Sequence, residues 1–475
     1  MNTNPYYEYL NFAPQNHFGR EFELLTLLRG VSLNEPLPYE VHSFPEMGKS
    51  SLLQYLFYLL DIEKTIAPIK SEWLSHLHEP FKGDNYHFLF PIYIDFENLR
   101  SDLHPFIYLY EGFHNAYSTY RSKKQIISGD NLPDIHQNVT ETNPNQLIDQ
   151  LESEINVLVN LRIRPVFLLD DFDIAFEKPR MTREQTTRLS PLRDRVAFVL
   201  ATTRRLAKVN PDAAGSPFYQ SLMPITLGNL PDSEASEVIR NFLKKMNMPY
   251  SKEIIDYIIT LTGGHPYLLI LTSIAMWDVN SSLKLRSGVT TSSPEAYRYI
   301  LQGRLKDDFL RSFRIYWELL DDTEQSALKA FVDKEGTSID KEMLSKLSPL
   351  YPKGLVRLGE KTGNYIFFTP LFRDFVNSLR FDEKERINNQ EPEFTKLEKR
   401  LFEYLKLNAG RGCTYEELWT NVWNEPIDRG DQSKIHHRVQ ESISRLRRKL
   451  ATNDIGDIIR EREEKGYRFE FKKQN

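Results

Sequence analysis

The chain has 475 residues, a formal net charge of −5 and a hydrophobic fraction of 40%. Its length exceeds what a single hydrophobic core accommodates, and its composition excludes wholesale disorder, a collagen-like chain and a coiled-coil rod. The mean hydropathy of −0.49, without an apolar run of spanning length, excludes a transmembrane helix and predicts no membrane partner. The single cysteine excludes an intrachain disulfide, and an N-terminus without a secretion signal leads us to expect a cytoplasmic protein.

The first half of the chain alternates predicted strands with helical patterns. The predicted strands are Tyr39–His42, Phe88–Asp95, Pro165–Leu169 and Val196–Ala201. The last two are continuous apolar runs, which are typical of strands that helices cover on both faces of a parallel sheet. The sequence therefore predicts an α/β domain built on a parallel sheet.

Changes in periodicity and composition divide the chain into five segments. We predict an α/β core over residues 1–231, a helical region over 232–305 and a compact unit over 306–380. A polar linker is predicted over 381–393, and a last domain, with a slight excess of basic residues, over 394–475.

The segment Ser-Phe-Pro-Glu-Met-Gly-Lys-Ser at residues 43–50, which we call the phosphate loop, lies between a predicted strand and a predicted helix. A Walker A loop needs this context, because its backbone N–H groups and the helix N-terminus must surround a β-phosphate. Lys49 would reach the β- and γ-phosphates, and the Ser50 hydroxyl would ligate Mg²⁺. Ser43 occupies the position at which the Walker A pattern begins with glycine. This departure bears on the affinity for nucleotide more than on the assignment of the loop. The predicted nucleotide-binding residues here are Ser43, Met47, Gly48, Lys49, Ser50 and Ser51.

Two acids follow the third predicted strand. Asp170 and Asp171 lie at its carboxyl end, where the ligands of open parallel sheets gather. Asp170 would hold the Mg²⁺ shell as a Walker B aspartate, and Asp171 occupies the position of a water-activating carboxylate. Either motif alone is weak evidence, because a Gly-Lys-Ser tripeptide at a helix start and acidic residues after a strand are both common by chance. Together the two motifs predict binding of ATP or ADP with Mg²⁺.

With these motifs, residues 16–380 resemble the STAND branch of AAA+ P-loop ATPases, in particular its archaeal-ATPase-like members. Residues 16–21, Asn-His-Phe-Gly-Arg-Glu, resemble the motif that lies against adenine in that family. The resemblance implies that Phe18, Gly19 and Arg20 contribute to the nucleotide site.

Two later motifs extend the resemblance. Residues 201–205, Ala-Thr-Thr-Arg-Arg, resemble the sensor-1 segment, in which Thr203 or Arg204 would read the γ-phosphate. Residues 262–269 resemble the G-x-P motif of the helical lid, which places Pro266 near the base. Taken alone, the arginines could be a solvated pair and the glycines an interhelical turn.

The same resemblance implies a winged-helix domain at residues 306–380, with a small hairpin formed by 355–358 and 365–369. An ATPase core of this type works as a switch between nucleotide-dependent arrangements. Because Asp171 replaces the commoner glutamate, we expect slow ATP hydrolysis, with Lys49, Asp170, Asp171 and Arg204 as the catalytic residues.

Residues 394–475 resemble the winged helix-turn-helix domain of OmpR/PhoB-type response regulators. The segments 394–405, 414–423 and 443–450 resemble its opening, positioning and recognition helices, and 466–469 its wing. The resemblance implies binding to double-stranded DNA. The basic residues suited to DNA contact are Arg438, Arg445, Arg448, Lys449, Arg462 and Arg468.

The recognition helix has an apolar stripe, Val439, Ile443, Leu446 and Leu450, which predicts that one face packs in the core. Acidic residues depart from a DNA-binding pattern, since carboxylates repel phosphates. They are Glu441 in the helix and Glu461, Glu463 and Glu464 in the wing.

The leading hypothesis is an ATP-dependent regulatory switch that binds DNA through its last domain. The alternative that the acidic residues favour is a sensor–scaffold, in antiphage defence for example, whose winged helix docks a protein effector. A weaker third hypothesis is a DNA-loading ATPase of a mobile element, and nucleotide-dependent self-assembly is compatible with each.

Overall fold

The structure is a computed structural model. It describes residues 17, 19–61, 88–128, 132–135, 143–177, 181–287, 305–335, 339–359, 364–388, 394–409, 411–423, 432–452, 456–461 and 466–471. The chain divides into two compact units, residues 1–375 and 376–475. Among the described residues, no helix is long and apolar enough to cross a membrane.

The first unit is built on a five-stranded parallel sheet. Its strands are β1 (Tyr39–His42), β2 (Phe88–Asp95), β3 (Ile163–Asp170), β4 (Ala197–Thr202) and β5 (Met223–Thr226), in the order β2-β3-β4-β1-β5. The four predicted strands are confirmed: β1 and β2 have the predicted ends, and the ends of β3 and β4 are shifted by one or two residues. The sequence did not predict β5, because it is short, contains Pro224 and is only partly buried.

Helices cover both faces of this sheet. They are α1 (Glu21–Ser32), α2 (Lys49–Leu60), α3 (Pro105–Ser128) and α4 (Pro144–Asn160). Along β3, Phe167 and Leu169 pack with α3 and α4, whereas Val166 and Leu168 pack with α1 and α2. Burial on both faces explains the continuous apolar runs. All five strands run in parallel, so the phosphate loop after β1 and the acids after β3 lie at one end of the sheet.

Short helical segments connect β3 to β5. They are Phe172–Phe176, Arg183–Thr187, Ser190–Leu192, Leu206–Val209, Pro211–Ala214 and Pro217–Gln220, and a further 3-10 turn, Phe96–Asn98, follows β2.

Helices dominate the rest of the first unit. They are α5 (Asp232–Lys245), α6 (Lys252–Thr262), α7 (Pro266–Ser287), α8 (Lys306–Leu319), α9 (Asp322–Phe331) and α10 (Lys341–Leu347), followed by a 3-10 turn at Ser348–Leu350. The predicted small hairpin is present as the antiparallel pair β6 (Val356–Leu358) and β7 (Tyr365–Phe367).

Helix α11 (Pro370–Asn388) continues through the first eight residues of the segment predicted as a linker, 381–388. Residues 389–393 lie outside the described part of the chain. Residues 381–388, predicted as a linker, are therefore helical. Glutamate, lysine and arginine, which make up much of this segment, have high helix propensity.

The second unit has its own core. Helix α12 (Lys396–Leu407) precedes β8 (Cys413–Thr414), the short helix Tyr415–Leu418 and a π-helical turn, Trp419–Trp423. Helix α13 (Gln432–Thr452), β9 (Gly456–Glu461) and β10 (Gly466–Phe471) complete it, and the antiparallel sheet has the order β8-β10-β9. The predicted stripe of α13 is buried in this core, together with Cys413. A Cβ at Gly466 would lie 2.0 Å from the Cys413 carbonyl oxygen, so the strand pairing requires glycine there.

Candidate functional site

The phosphate loop folds around the side chain of Lys49. Its Nζ is buried and donates to the backbone carbonyls of Ser43, at 3.2 Å, and Phe44, at 3.3 Å. Burial lowers the pKa of Lys49, and the nearby carboxylates of Asp171 and Asp170 oppose that shift. Glu46 and Gly48 have φ values of 68° and 87°, the left-handed region in which a curled loop turns its N–H groups inward.

The loop and the predicted acidic partner lie next to each other. The Ser50 side chain, at the start of α2, is close enough to the Asp170 carboxylate to lower its pKa. Asp170 is 1% exposed and accepts hydrogen bonds from the Tyr93 hydroxyl, at 2.7 Å, and from the Asp171 N–H, at 3.2 Å. Burial raises the pKa of Asp170, while the contacts with Tyr93 and Ser50 lower it. Hydroxyl and carboxylate oxygens are ligands that Mg²⁺ takes, so these residues fit the predicted cation.

Asp171 lies beside this pair in a strained conformation. Its φ is 47°, it is half-buried, and burial together with the charge of Asp170 raises its pKa to about 6. Oxygens of Asp95, Glu97 and Asp171 lie within 4.8 Å of one another, the single metal-compatible group found among the described residues. A carboxylate that titrates close to neutral pH suits a proton acceptor.

The predicted sensor residues are held by an acid that the sequence analysis did not single out. Buried Asp173 accepts hydrogen bonds from the N–H groups of Thr203 and Arg204, each at 3.2 Å. The Arg204 guanidinium pairs with Glu177 and approaches Asp173 at 3.9 Å, and neither acid belongs to the phosphate loop. The only signal for Asp173 was its place in the run Asp-Asp-Phe-Asp.

Arg20 fastens the phosphate loop to the segments around it. Its buried guanidinium donates to the carbonyls of Met47, at 3.1 Å, and Gly228, at 2.5 Å. Its N–H donates to Glu234 of α5 at 3.0 Å, and a Cβ at Gly19 would lie 2.4 Å from the same carboxylate. Phe18 lies outside the described residues, and Ser51 is exposed on α2.

His17 belongs to the motif whose resemblance implies contact with adenine. Its ring stacks on Tyr55 of α2 with a centroid distance of 4.3 Å. Burial lowers its pKa to about 4, and the Arg20 charge acts in the same direction. The ring is therefore neutral at neutral pH and forms an aromatic stack with Tyr55.

The lid turn, residues 262–266, approaches two other segments closely. Gly263 and Gly264 have positive φ, and a Cβ on them would lie 2.1 Å from the Phe368 carbonyl and 2.3 Å from the Leu230 carbonyl, respectively. Pro266 is the first residue of α7. These two positions admit only glycine because backbone occupies the space of a side chain.

A hydrogen-bond chain, the Glu46 network, joins the phosphate loop, the lid turn and α8. Glu46 Oε2 accepts from Ser312 Oγ at 2.7 Å and from the Tyr316 hydroxyl at 3.0 Å. The Tyr316 oxygen lies 2.6 Å from His265 Nε2, and His265 Nδ1 accepts from the Leu268 N–H at 3.4 Å. Burial lowers the pKa of His265 to about 3. The ring is therefore neutral with its proton on Nε2.

Three of the predicted DNA-contacting residues are exposed on α13, namely Arg438, Arg445 and Arg448. Arg438 lies over the Trp419 ring at 5.6 Å, and Arg445 pairs with Glu441 one turn earlier. Guanidinium groups displayed along one helix can contact phosphates or base edges.

Lys449 and Arg468 have partners within the second unit. Lys449 Nζ contacts the buried Glu398 at 2.7 Å, and half-buried Arg468 pairs with Glu470 at 3.1 Å. Arg462 lies outside the described residues. Lys449 therefore has a structural partner that the sequence did not reveal, because the contact spans 51 positions.

Residues 389–469 match the protein-family model described as "Transcriptional regulatory protein, C terminal". The carboxyl-terminal domain is an OmpR/PhoB-type winged helix-turn-helix. In this winged-helix domain, α13 is the recognition helix and β9 and β10 form the wing. The first unit has an α/β core of P-loop type, in which a parallel sheet places the phosphate loop after β1 next to Asp170 at the end of β3.

No protein of curated function matches the chain. Among solved structures, the Walker-type ATPase paby2304 of Pyrococcus abyssi is similar at 15% identity and a TM-score of 0.42, covering 76% of this chain and 96% of that one. The Aeropyrum pernix ORC2 protein is similar at 11% identity and a TM-score of 0.44, covering 78% and 97%. The Aeropyrum pernix ORC1 protein in complex with DNA is similar at 11% identity and a TM-score of 0.40, covering 96% and 90%. Similarities at this level carry no argument about function.

Proposed function

We propose that the protein is an ATP-binding, slowly hydrolysing switch whose winged-helix domain binds double-stranded DNA. The observation that carries the nucleotide-binding part of the proposal is the proximity of the Ser50 side chain to the Asp170 carboxylate. This contact brings two motifs separated by 120 residues to one point at the carboxyl end of the sheet, where nucleotide phosphates bind in P-loop folds.

Each residue of the site has a role that its surroundings support. Lys49 exchanges its carbonyl partners for phosphate oxygens, and the inward N–H groups of the loop stabilise negative charge. Ser50 and Asp170 would hold Mg²⁺, which would supply positive charge against the phosphate oxygens. Asp171 accepts a proton from the attacking water, since its pKa of about 6 leaves it ionised and basic near neutral pH.

The DNA half rests on the family match and on the arginines of the recognition helix. Arg438, Arg445 and Arg448 are exposed, whereas the apolar stripe of the same helix is buried. A basic face opposite a packed face is the arrangement with which a helix enters the major groove.

The test is duplex DNA binding by the full chain, measured by fluorescence anisotropy across salt concentrations with and without ATP. We expect binding that weakens steeply with salt, depends on nucleotide and is lost in the Arg445→Ala/Arg448→Ala variant. The Arg240→Ala/Lys244→Ala variant is the matched control, because it removes the same charge from exposed positions of α5.

A second candidate function is docking of a protein effector by the winged-helix domain. The ion pair between Glu441 and Arg445 favours it, because it neutralises one of the cations displayed on the helix. Absence of duplex binding at low salt in the anisotropy experiment would decide for this candidate.

A further inference from the structure

A cavity of about 860 Å³ lies at the β2 edge of the sheet, between α2 and α3. Its volume is typical of sites for small organic molecules. None of its described lining residues belongs to the phosphate loop. Six of its described lining residues are aromatic: Phe57, Tyr58, Phe90, Tyr93, Tyr108 and Tyr120.

Among the described residues that line the cavity, three are acidic and one, Lys123, is basic. Asp95 and Glu111 line it, and a third acid, Asp61, forms an ion pair with Lys123 at 3.2 Å. Asp61 also caps the C-terminal end of α2, where the helix dipole adds partial negative charge. An excess of acids beside the faces of aromatic rings is complementary to a cation.

One wall of the cavity is connected to the Walker B aspartate. The Tyr93 hydroxyl donates to Asp170 at 2.7 Å and accepts from Gln54 Nε2 at 3.2 Å. Gln54 and Tyr93 both line the cavity, and Gln54 belongs to α2, the helix that begins at Lys49. A ligand that packs against Tyr93 therefore acts on the orientation of Asp170.

We propose that this cavity binds a small organic cation with an aromatic body, and that Tyr93 transmits its binding to Asp170. Binding of the cation is inferred from the cavity alone, whereas its transmission to Asp170 rests on the proposed function. Occupancy selects the conformation in which Tyr93 holds Asp170 next to Ser50, so the ligand strengthens binding of Mg-ATP.

The binding test uses three probes of similar shape and different charge: 2-phenylethylammonium, 2-phenylethanol and 3-phenylpropanoate. Ligand-observed NMR with the full chain, without nucleotide, measures their affinities. We expect the cation to bind about fivefold or more tightly than the alcohol, and the anion most weakly. Equal affinities for the three probes would overturn the proposal, as would absence of binding.

Substitutions of residues that line the cavity test whether the probe binds there. Ala116→Phe fills the cavity from α3 and should abolish binding of the cation, while circular dichroism and Mg-ATP binding without probe stay unchanged. Glu111→Gln should weaken binding of the cation about threefold. Asp102→Asn, an acid-to-amide change at an exposed position outside the cavity, is the matched control. Undiminished binding to Ala116→Phe would place the probe elsewhere and overturn the proposal.

The coupling test measures Mg-ATP affinity with and without saturating 2-phenylethylammonium. We expect about a threefold gain in affinity, matched by an equal gain in probe affinity when Mg-ATP is present. Tyr93→Phe keeps the ring wall and removes the hydroxyl, so it should retain probe binding and lose the gain. A wild-type chain without the gain would refute the transmission, whereas failure to bind Mg-ATP in the absence of probe would refute the proposed function instead.

Discussion

The Tyr316 hydroxyl donates a hydrogen bond to Glu46 Oε2 across 3.0 Å, which joins α8 directly to the phosphate loop. Glu46 occupies a left-handed position of that loop, with φ of 68°. Its carboxylate is held by Ser312 as well, and Tyr316 is held by the neutral His265 of the lid turn. The phosphate loop, α8 and the lid turn are therefore linked by one chain of hydrogen bonds.

Loss of this contact should weaken nucleotide binding. In the Ser312→Ala/Tyr316→Phe variant, the Glu46 carboxylate loses both donors and is released next to the phosphates, where like charges repel. We expect about a fivefold loss of Mg-ATP affinity, measured by titration with a fluorescent ATP analogue. Adding Glu46→Gln removes the charge and should restore most of the affinity. An unchanged affinity in the double variant would show that the Glu46 network does not bear on the nucleotide.

Lys49 provides the direct test of the nucleotide site. Its replacement by alanine removes the cation that the loop encloses, and we expect Mg-ATP affinity to fall by more than about tenfold, or 1.4 kcal/mol. Isothermal titration calorimetry measures this, with the exposed Lys244→Ala as control. Equal affinities for the two variants would remove the phosphate-loop assignment.

Asp171 should make ATP turnover dependent on pH. Because the water-activating form is the carboxylate, turnover should rise with pH through about 6 and should be nearly lost in Asp171→Asn. Steady-state phosphate release from pH 5 to pH 8 measures the profile. A wild-type-like profile in Asp171→Asn would assign proton acceptance to another group.

The same raised pKa predicts a cost in stability. The folded state holds the Asp171 proton more tightly than the unfolded chain, so stability falls as pH rises through the interval from 3.8 to about 6. Asp171→Asn should abolish this fall and stabilise the chain by about 1 kcal/mol at pH 7.5, after allowance for solvent screening, and by less at pH 4.5. Thermal denaturation at the two pH values gives the comparison.

Arg20 should contribute to stability through its particular side-chain geometry and not through its charge alone. Its Nη2 donates to the carbonyls of both Met47 and Gly228 while its Nη1 lies 3.5 Å from Glu23, and lysine, which ends in one nitrogen, does not reproduce this set of contacts. We expect Arg20→Lys and Arg20→Ala to lose about 3 kcal/mol of unfolding free energy each, measured by urea denaturation. Full stability of Arg20→Lys would show that a positive charge at this position is sufficient.

Two neighbouring basic residues of α13 should behave differently. Arg448→Ala should reduce DNA affinity and lower the slope of log affinity against log salt by about 1, because it removes one phosphate contact. Lys449→Ala should leave the slope unchanged and destabilise the winged-helix domain by about 1 kcal/mol, because the buried Glu398 loses its cationic partner, although it keeps the hydrogen bond from the Thr395 N–H. Identical salt slopes in the two variants would contradict this division.

The pH dependence of that destabilisation follows from Glu398. Burial raises its pKa, but the hydrogen bonds from Lys449 and Thr395 lower it below the ordinary value overall. The stabilisation is therefore present above the ordinary glutamate pKa and is lost as pH falls through the lowered one.

Local sequence patterns predicted the parts of the fold that depend on local chemistry. Four strands, the phosphate loop and the stripe of α13 each follow from periodicity or from a loop flanked by a strand and a helix. The pairing of Ser50 with Asp170 was accessible as well, because both motifs end at the carboxyl edge of a parallel sheet.

Contacts between distant side chains could not be predicted in this way. Glu46 meets Tyr316 across 270 positions, and Asp173 meets Arg204 across 31. Helix and strand periodicities relate residues only a few positions apart, so neither pair could be recognised from its spacing in the sequence. Strand β5 was missed for a different reason, since its proline and its half-exposed side chains resemble a loop.

Cys413 is the only cysteine of the chain, and its side chain is completely buried in the core of the second unit. A thiol reagent can reach it only when that core opens, so the rate of labelling measures local unfolding of the winged-helix domain without a signal from the first unit. Comparing the labelling rate of this sulfur with and without nucleotide shows whether nucleotide binding at the phosphate loop changes the local stability of a domain that begins more than 300 residues later.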